Sequence, residues 1–195
     1  VVDRPTTDVA PRRHSMRKLV VIGSSTGGPR ALSEVIPLLT ADLPAAVLVV
    51  QHMPKGFTKS MAERLNSTSA VSVSEAKDGD LVTKGHVLIA PGDFHMEVTL
   101  GGVIKLNQNP QVWRVRPAAD VTMESVIGHY GKNIVAVILT GMGQDGTRGA
   151  GLFRKAGGWV VAEDESTCAV FGMPKSAIDA GHTDAVFPID KIAEE

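Results

Sequence analysis

The stretch Leu19-Val20-Val21-Ile22-Gly23-Ser24-Ser25-Thr26-Gly27-Gly28-Pro29-Arg30 constrains this chain most. Its first four residues are apolar and largely β-branched, which suits a buried strand, and Gly23, Gly27 and Gly28 allow positive φ and close backbone approach where the chain must turn. Pro29 suits the first turn of a helix. The segment therefore reads as a strand breaking sharply into a helix, with a serine at the break. Framed on Ser25 it is G-x-S-x-G, the pattern of a tight turn that lifts a serine hydroxyl above a strand end with backbone N–H groups close by. Framing on Ser24 loses that symmetry. A glycine-rich turn of this kind also suits a phosphate cradle, but the stretch has neither the G-x-G-x-x-G dinucleotide pattern nor the G-K-[ST] ending of a P-loop.

The remaining chain alternates apolar strands with helices. Leu32, Val35, Ile36 and Leu39 share one face of a helix over 29–39, whose last turn Pro37 disturbs. A continuous apolar run over 45–50, as in strands buried on both faces, ends in Gln51-His52-Met53-Pro54. A helix over 58–65, a short strand at Val71 and Val73 and a strand over 86–90 follow. Runs over 96–100 and 103–107 flank Gly101-Gly102, a hairpin signal, so the middle third reads as an antiparallel insertion or edge. Beyond it come a helix over 120–130, a third long strand over 134–139, a helix over 147–156, a strand over 159–162, a helix over 174–180 and a closing segment around Val186. This order predicts an α/β fold: a doubly wound, mostly parallel, Rossmann-like sheet with helices on both faces, plus an antiparallel hairpin region. Ligands of such sheets sit outside the strand C-terminal ends, where the strand order reverses.

A chain of 195 residues that is 43% hydrophobic suits one domain. Residues 1–15 carry two prolines and scattered charge without apolar period and read as an interdomain linker remnant, which leaves 16–195 as the folded domain. A formal net charge of -1 offers no basic field for nucleic acid. The single cysteine, Cys168, cannot form an internal disulfide and sits in a small, apolar context that suggests packing. No run reaches membrane-span length and no signal segment opens the chain, so the expectation is a soluble cytoplasmic protein without membrane insertion.

Three predicted strands end near Ser25, His52 and Asp145, and parallel strands would bring those ends to one crevice. A serine hydroxyl is a weak nucleophile until an imidazole accepts its proton, and a carboxylate fixes the imidazole tautomer and stabilises the imidazolium. Each residue also has a plainer reading: His52 as a strand-end histidine bonded to backbone, Asp145 as a helix cap. Asp93 and Asp120 are rival carboxylates, better suited to a turn and an N-cap. The oxyanion that acyl transfer develops needs backbone donors; the loop 141–143, with the Met142 N–H foremost, and the backbone around Thr26 are the ones available. His86, His95, His129 and His182 lack zinc-site spacing, so no metal and no cofactor is expected.

Six blocks carry a resemblance: Gly23-Ser24-Ser25-Thr26-Gly27-Gly28, Gln51-His52-Met53-Pro54-Lys55-Gly56-Phe57-Thr58, Ala90-Pro91-Gly92-Asp93-Phe94-His95, Arg116-Pro117-Ala118-Ala119-Asp120, Leu139-Thr140-Gly141-Met142-Gly143-Gln144-Asp145-Gly146 and Phe171-Gly172-Met173-Pro174. From about Lys18 onward the chain resembles the catalytic domain of the bacterial chemotaxis protein-glutamate methylesterase. The resemblance implies a serine hydrolase that removes methyl esters from glutamate side chains of chemoreceptors, releasing methanol, and deamidates receptor glutamines. It carries the nucleophile to Ser25, the histidine to His52, the aspartate to Asp145 and the active-site-loop methionine to Met142. Ser24 stands where the family often has alanine. It also implies a regulatory receiver domain, absent from this chain, that restricts access to the crevice; the exposed apolar patch such a partner would cover has Met53, Phe57, Phe171 and Met173 as candidates, each of which also suits ordinary core packing. Acidic receptor helices would call for cations near the crevice, and Lys55, Arg114, Arg116 and Arg148 neighbour the blocks. Replacing Ser25 by alanine should abolish ester hydrolysis with the fold intact, whereas Ser24→Ala should be mild; assays of both variants that rank them the other way would move the nucleophile to Ser24.

Overall fold

Residues 19–22 form the middle of a seven-stranded sheet, in a computed structural model that describes residues 18–194. The linker expectation for residues 1–15 lies outside the described residues. In chain order the elements are β1 (Lys18–Ser24), α1 (Gly28–Val35), β2 (Ala45–Gln51), α2 (Phe57–Thr68), β3 (Ser72–Glu75), β4 (His86–Ile89), β5 (His95–Thr99), β6 (Val103–Asn107), α3 (Ala119–Tyr130), β7 (Ile134–Ile138), α4 (Thr147–Lys155), β8 (Trp159–Glu163), α5 (Met173–Asp179) and β9 (Ala185–Phe187). Short 3₁₀ turns cover Ile36–Leu38 and Ile189–Glu194. The first helix is therefore shorter than expected: Pro37 falls in a 3₁₀ turn that finishes what α1 begins.

The sheet order is β3-β4-β2-β1-β7-β8-β9, and every pairing in it is parallel. From β1 the chain builds outward through β2 to β4 and β3, then returns to the opposite flank of β1 with β7. The order reverses beside β1, which opens a crevice above the C-terminal ends of β1, β2 and β7. Alternate strand residues face opposite sides, so a strand covered on both faces must be apolar throughout. Val47 and Val49 meet Leu32 and Val35 of α1 and Met61 and Leu65 of α2, whereas Val21, Leu48 and Ala136 belong to the cluster with Met123 of α3, Phe153 of α4 and Ala177 of α5.

The middle third departs from the antiparallel expectation. Among the strands of the described residues only β5 and β6 pair antiparallel, in a separate two-stranded sheet, while β3 and β4 extend the main sheet in parallel register. Alternation of the Val71 and Val73 kind marks a half-covered strand without giving its direction; α2, crossing from β2 to β3, supplies the parallel return. The hairpin's inner residues, Met96, Val98 and Ile104, join the core on the α3 side.

Close backbone approach is required at Gly28. A Cβ there would lie 1.9 Å from Gln51 Oε1 and 2.9 Å from Ser24 Oγ. Gly28→Ala should therefore break the Ser24–Gln51 contact and lower stability by about 2 kcal/mol or more, read as a fall in the urea midpoint at unchanged m-value. An unchanged midpoint would show that the turn relaxes freely.

Candidate active site

Sheet register places two of the sequence-predicted residues, Ser25 and His52, at neighbouring strand exits. Ser24 and Gln51 are paired residues of β1 and β2, so Ser25 and His52, one step further along, leave adjacent strand ends. The backbone ladder continues past both: His52 N–H donates to Ser24 O at 3.1 Å, and Ser25 N–H donates to Thr140 O, at the exit of β7, at 3.0 Å. Gly27, at φ 85°, then turns the chain into α1. Ser25 is half-buried and open to the crevice; among the described residues its hydroxyl has no hydrogen-bond partner.

His52 and Asp145 are in direct hydrogen-bond contact. His52 Nε2 lies 2.7 Å from Asp145 Oδ2, and the aspartate is 1% exposed. That oxygen also accepts the Ala119 N–H at 2.6 Å, and Oδ1 accepts the Asp120 N–H at 3.0 Å. Asp145 thus caps the N-terminus of α3 from a different loop, where the orphan amides and the helix dipole favour negative charge. Cap and orienting carboxylate, alternatives in the sequence, are one residue here. A neutral imidazole that donates its Nε2–H to this carboxylate keeps the Nδ1 lone pair to accept a proton.

The rival carboxylates have other employment. Asp93, at φ 73°, turns the chain and takes Arg116 Nη2 at 2.6 Å and Gln108 Nε2 at 2.9 Å; the bond from the Arg116 guanidinium holds its carboxyl below the usual range. Asp120 is not an N-cap, a position filled by Ala118. Fully buried in the first turn of α3, it accepts Trp113 Nε1–H and the Gly149 N–H, both at 2.7 Å. Burial pushes its carboxyl above the ordinary range against the pull of those donors.

Of the oxyanion candidates, the Thr26 and Met142 N–H groups make no hydrogen bond among the described residues. The peptide before Met142 is pinned on both sides: Gly141 N–H donates to Val170 O, and Gly141 O accepts the Gly172 and Met173 N–H groups. A Cβ on Gly141 would come within 2.7 Å of Ser25 Cβ, so glycine keeps the loop against the serine. Met142 itself is 74% exposed.

The four expected cations divide. Arg116, besides its Asp93 pair, donates through Nη1 to Gln108 O and Asn109 O at 2.9 Å and so braces a loop. Arg148 is bonded to Glu124 on α3. Lys55 and Arg114 are exposed and form no ion pair among the described residues. A cleft of about 240 Å³ beside His52 is lined by Met53, Pro54, Gln111, Arg114, Val115 and Arg116. The expected apolar patch is smaller than the sequence suggested, because Met173 is core and Met53 and Phe171 are half-buried; Phe57 is exposed.

Sequence reasoning missed the group that joins the strand ends. Gln51, 1% exposed, accepts Ser24 Oγ–H at 2.7 Å and donates through Nε2 to Ser25 O at 2.9 Å and His52 O at 3.0 Å. Its signal was a polar residue ending an otherwise apolar strand. Glu163, buried at the end of β8 with its carboxyl raised by burial, similarly takes the Thr140 N–H at 2.7 Å. Cys168 is half-buried, and burial pushes its thiol up to about 12, which leaves it inert. Among the described residues no group of three or more histidine, cysteine, aspartate or glutamate residues could hold a metal ion, and no helix is long and apolar enough to cross a membrane.

The family model described as CheB methylesterase matches residues 20–195. The chain belongs to the CheB methylesterase family. It is 57% identical over 178 residues to the protein-glutamate methylesterase/protein-glutamine glutaminase of Symbiobacterium thermophilum, which covers 91% of this chain and 49% of that protein. The Thermotoga maritima protein of the same name is 53% identical over 181 residues, covering 91% and 53%. The crystal structure of the Thermotoga maritima CheB methylesterase catalytic domain superposes with a TM-score of 0.88 at 53% identity, covering 91% of this chain and 95% of that one. The chain spans about half the length of the curated relatives it matches.

Asp145→Asn should lower kcat by up to about 10⁴ with little change in fold, because the amide favours the wrong imidazole tautomer. Steady-state kinetics and a thermal melt check it; a loss below about tenfold would separate Asp145 from the imidazole's work.

Proposed function

We propose that this domain is a serine hydrolase acting on glutamate methyl esters of chemoreceptors, with Ser25, His52 and Asp145 as its triad. The buried Asp145 carboxylate, bonded at once to His52 and to the N-terminus of α3 beside the Ser25 elbow, is the observation that carries the reading. Family membership and the names of the relatives support the substrate.

Ser25 Oγ attacks the ester carbonyl carbon while its proton passes to His52 Nδ1. The carbonyl π electrons move to oxygen, and the oxyanion accepts hydrogen bonds from the Thr26 and Met142 N–H groups. As the tetrahedral adduct collapses, the C–O bond to the methoxy group breaks and His52 returns the proton to it, so methanol leaves and a glutamyl ester of Ser25 remains. Water repeats the sequence: it loses a proton to His52, adds to the acyl carbon and expels Ser25 Oγ, which regains the proton. A glutamine side chain follows the same path with ammonia as leaving group. Asp145 stays ionised throughout and stabilises the imidazolium.

A non-catalytic anion-binding module would leave the His52–Asp145 pair without a role. Receptors form the proposed partner, reached in the cytoplasm, and a receiver domain docking over the crevice is the proposed control. Exposed Phe57 and Met142 offer apolar contact for such docking.

Incubation with methyl-esterified receptor fragment should release methanol, and a fluorophosphonate should label Ser25 and stop the release. Release that survives complete labelling, or nucleotide binding without labelling, would overturn the triad assignment.

A further inference from the structure

We propose that the two-residue turn Trp113-Arg114 is the specificity element of this site: Arg114 receives a free carboxylate on the substrate's ester-bearing face, and Asp120 fixes the turn through Trp113. The inference rests on the hydrolase reading of the crevice and adds to it what the substrate must carry besides the ester.

Val112 and Val115 exchange backbone hydrogen bonds at 3.2 and 3.0 Å and so close a two-residue loop. Its central residues, Trp113 at φ 54° and Arg114 at φ 63°, both lie in the left-handed region. Tight hairpin turns of this sort favour asparagine, aspartate and glycine; a tryptophan and an arginine there are held by their surroundings, and such positions gather at functional sites.

The restraints are on either side. Trp113 Nε1–H donates to Asp120 Oδ2 at 2.7 Å, and Asp120 is fully buried with its other oxygen on the Gly149 N–H. Its neighbour Ala119 donates its N–H to Asp145, so the anchor of the turn and the support of the imidazole are consecutive residues of one helical turn. On the other side, Arg116 fastens the stem to Asp93, Gln108 and Asn109. A turn restrained at both ends lines the same cleft as His52.

Arg114 differs from its neighbours in charge balance. Arg116 and Arg148 have carboxylate partners, whereas Arg114 has none among the described residues and faces solvent at the cleft. A guanidinium offers a planar pair of donors that matches a carboxylate, and one restrained by its backbone loses less freedom on binding. The ligand chemistry is thus an acidic peptide face, a glutamate or aspartate beside the esterified residue. On a helical substrate that neighbour stands three or four residues away.

Two helical peptides test this, each with one glutamate methyl ester, flanked at three and four residues on both sides by glutamates in one and by glutamines in the other. The protein should prefer the acidic peptide in kcat/KM by on the order of tenfold at low salt. Arg114→Ala should bring the ratio near one, with the loss in KM; Arg114→Lys should restore part of it. Trp113→Phe, which removes the indole donor and keeps a smaller aromatic ring, should lower the ratio severalfold, and Asp120→Asn should do the same. Thermal melts show that each variant is folded. A ratio unchanged in Arg114→Ala overturns the carboxylate assignment, and one unchanged in both Trp113→Phe and Asp120→Asn overturns the anchor.

A binding arm separates this from failure of the hydrolase reading. The chain has two tryptophans, so Ser25→Ala with Trp159→Phe leaves Trp113 as the only indole reporter. The acidic peptide should change its emission saturably at lower concentration than the glutamine peptide, and Arg114→Ala in that background should equalise the two. Acidic preference in binding without any cleavage by the unmodified protein would sink the hydrolase and keep the recognition; cleavage with equal binding would do the reverse.

Discussion

A single carboxylate holds the working face together. Asp145 is buried, and a buried charge is costly unless donors satisfy it. Two amides at the start of α3 and the His52 imidazole do so. Because the amides belong to a helix whose dipole points at the carboxylate, the charge is held by the fold itself and not by a counter-ion. Truncate that side chain and two supports go together, the acceptors at the start of α3 and the partner of the ring.

Around that charge the sheet supplies precision. Ser25 and His52 stand one residue beyond the Ser24–Gln51 pair, and the Gln51 amide ties the two exits to each other through three hydrogen bonds. Strand ends are rigid because the ladder behind them is complete; groups placed there need little reorganisation when charge develops. Glycine at position 28 is the condition for this tie, since any side chain would occupy the amide's place.

Much of this was legible from residue pattern. Long apolar runs over 45–50 and 134–139 announced doubly covered strands, and residues leaving them marked the crevice. What escaped were features set by the third dimension. The Val71 and Val73 alternation gives a strand but no direction, so a parallel edge passed for an antiparallel one. Charge on Arg116 and Arg148 was visible, but their carboxylate partners, Asp93 and Glu124, lie 23 and 24 residues away in sequence. Asp120 looked like a cap because it begins a helix; its bonds to Trp113 and Gly149 depend on packing between α3, α4 and a loop that no local window contains.

The parallel sheet also governs when this chain first acquires chemistry. Its crevice draws on residues 25, 52 and 145, which follow three strands joined only through long crossovers, with β1 between the other two. Pairings so distant in sequence form late, after loop-closure entropy has been met. Among the described residues no helix or hairpin contains two of the three groups. For the proposed hydrolase, competence during refolding therefore arrives with the last central pairing, and until then the serine has no imidazole at the neighbouring strand exit.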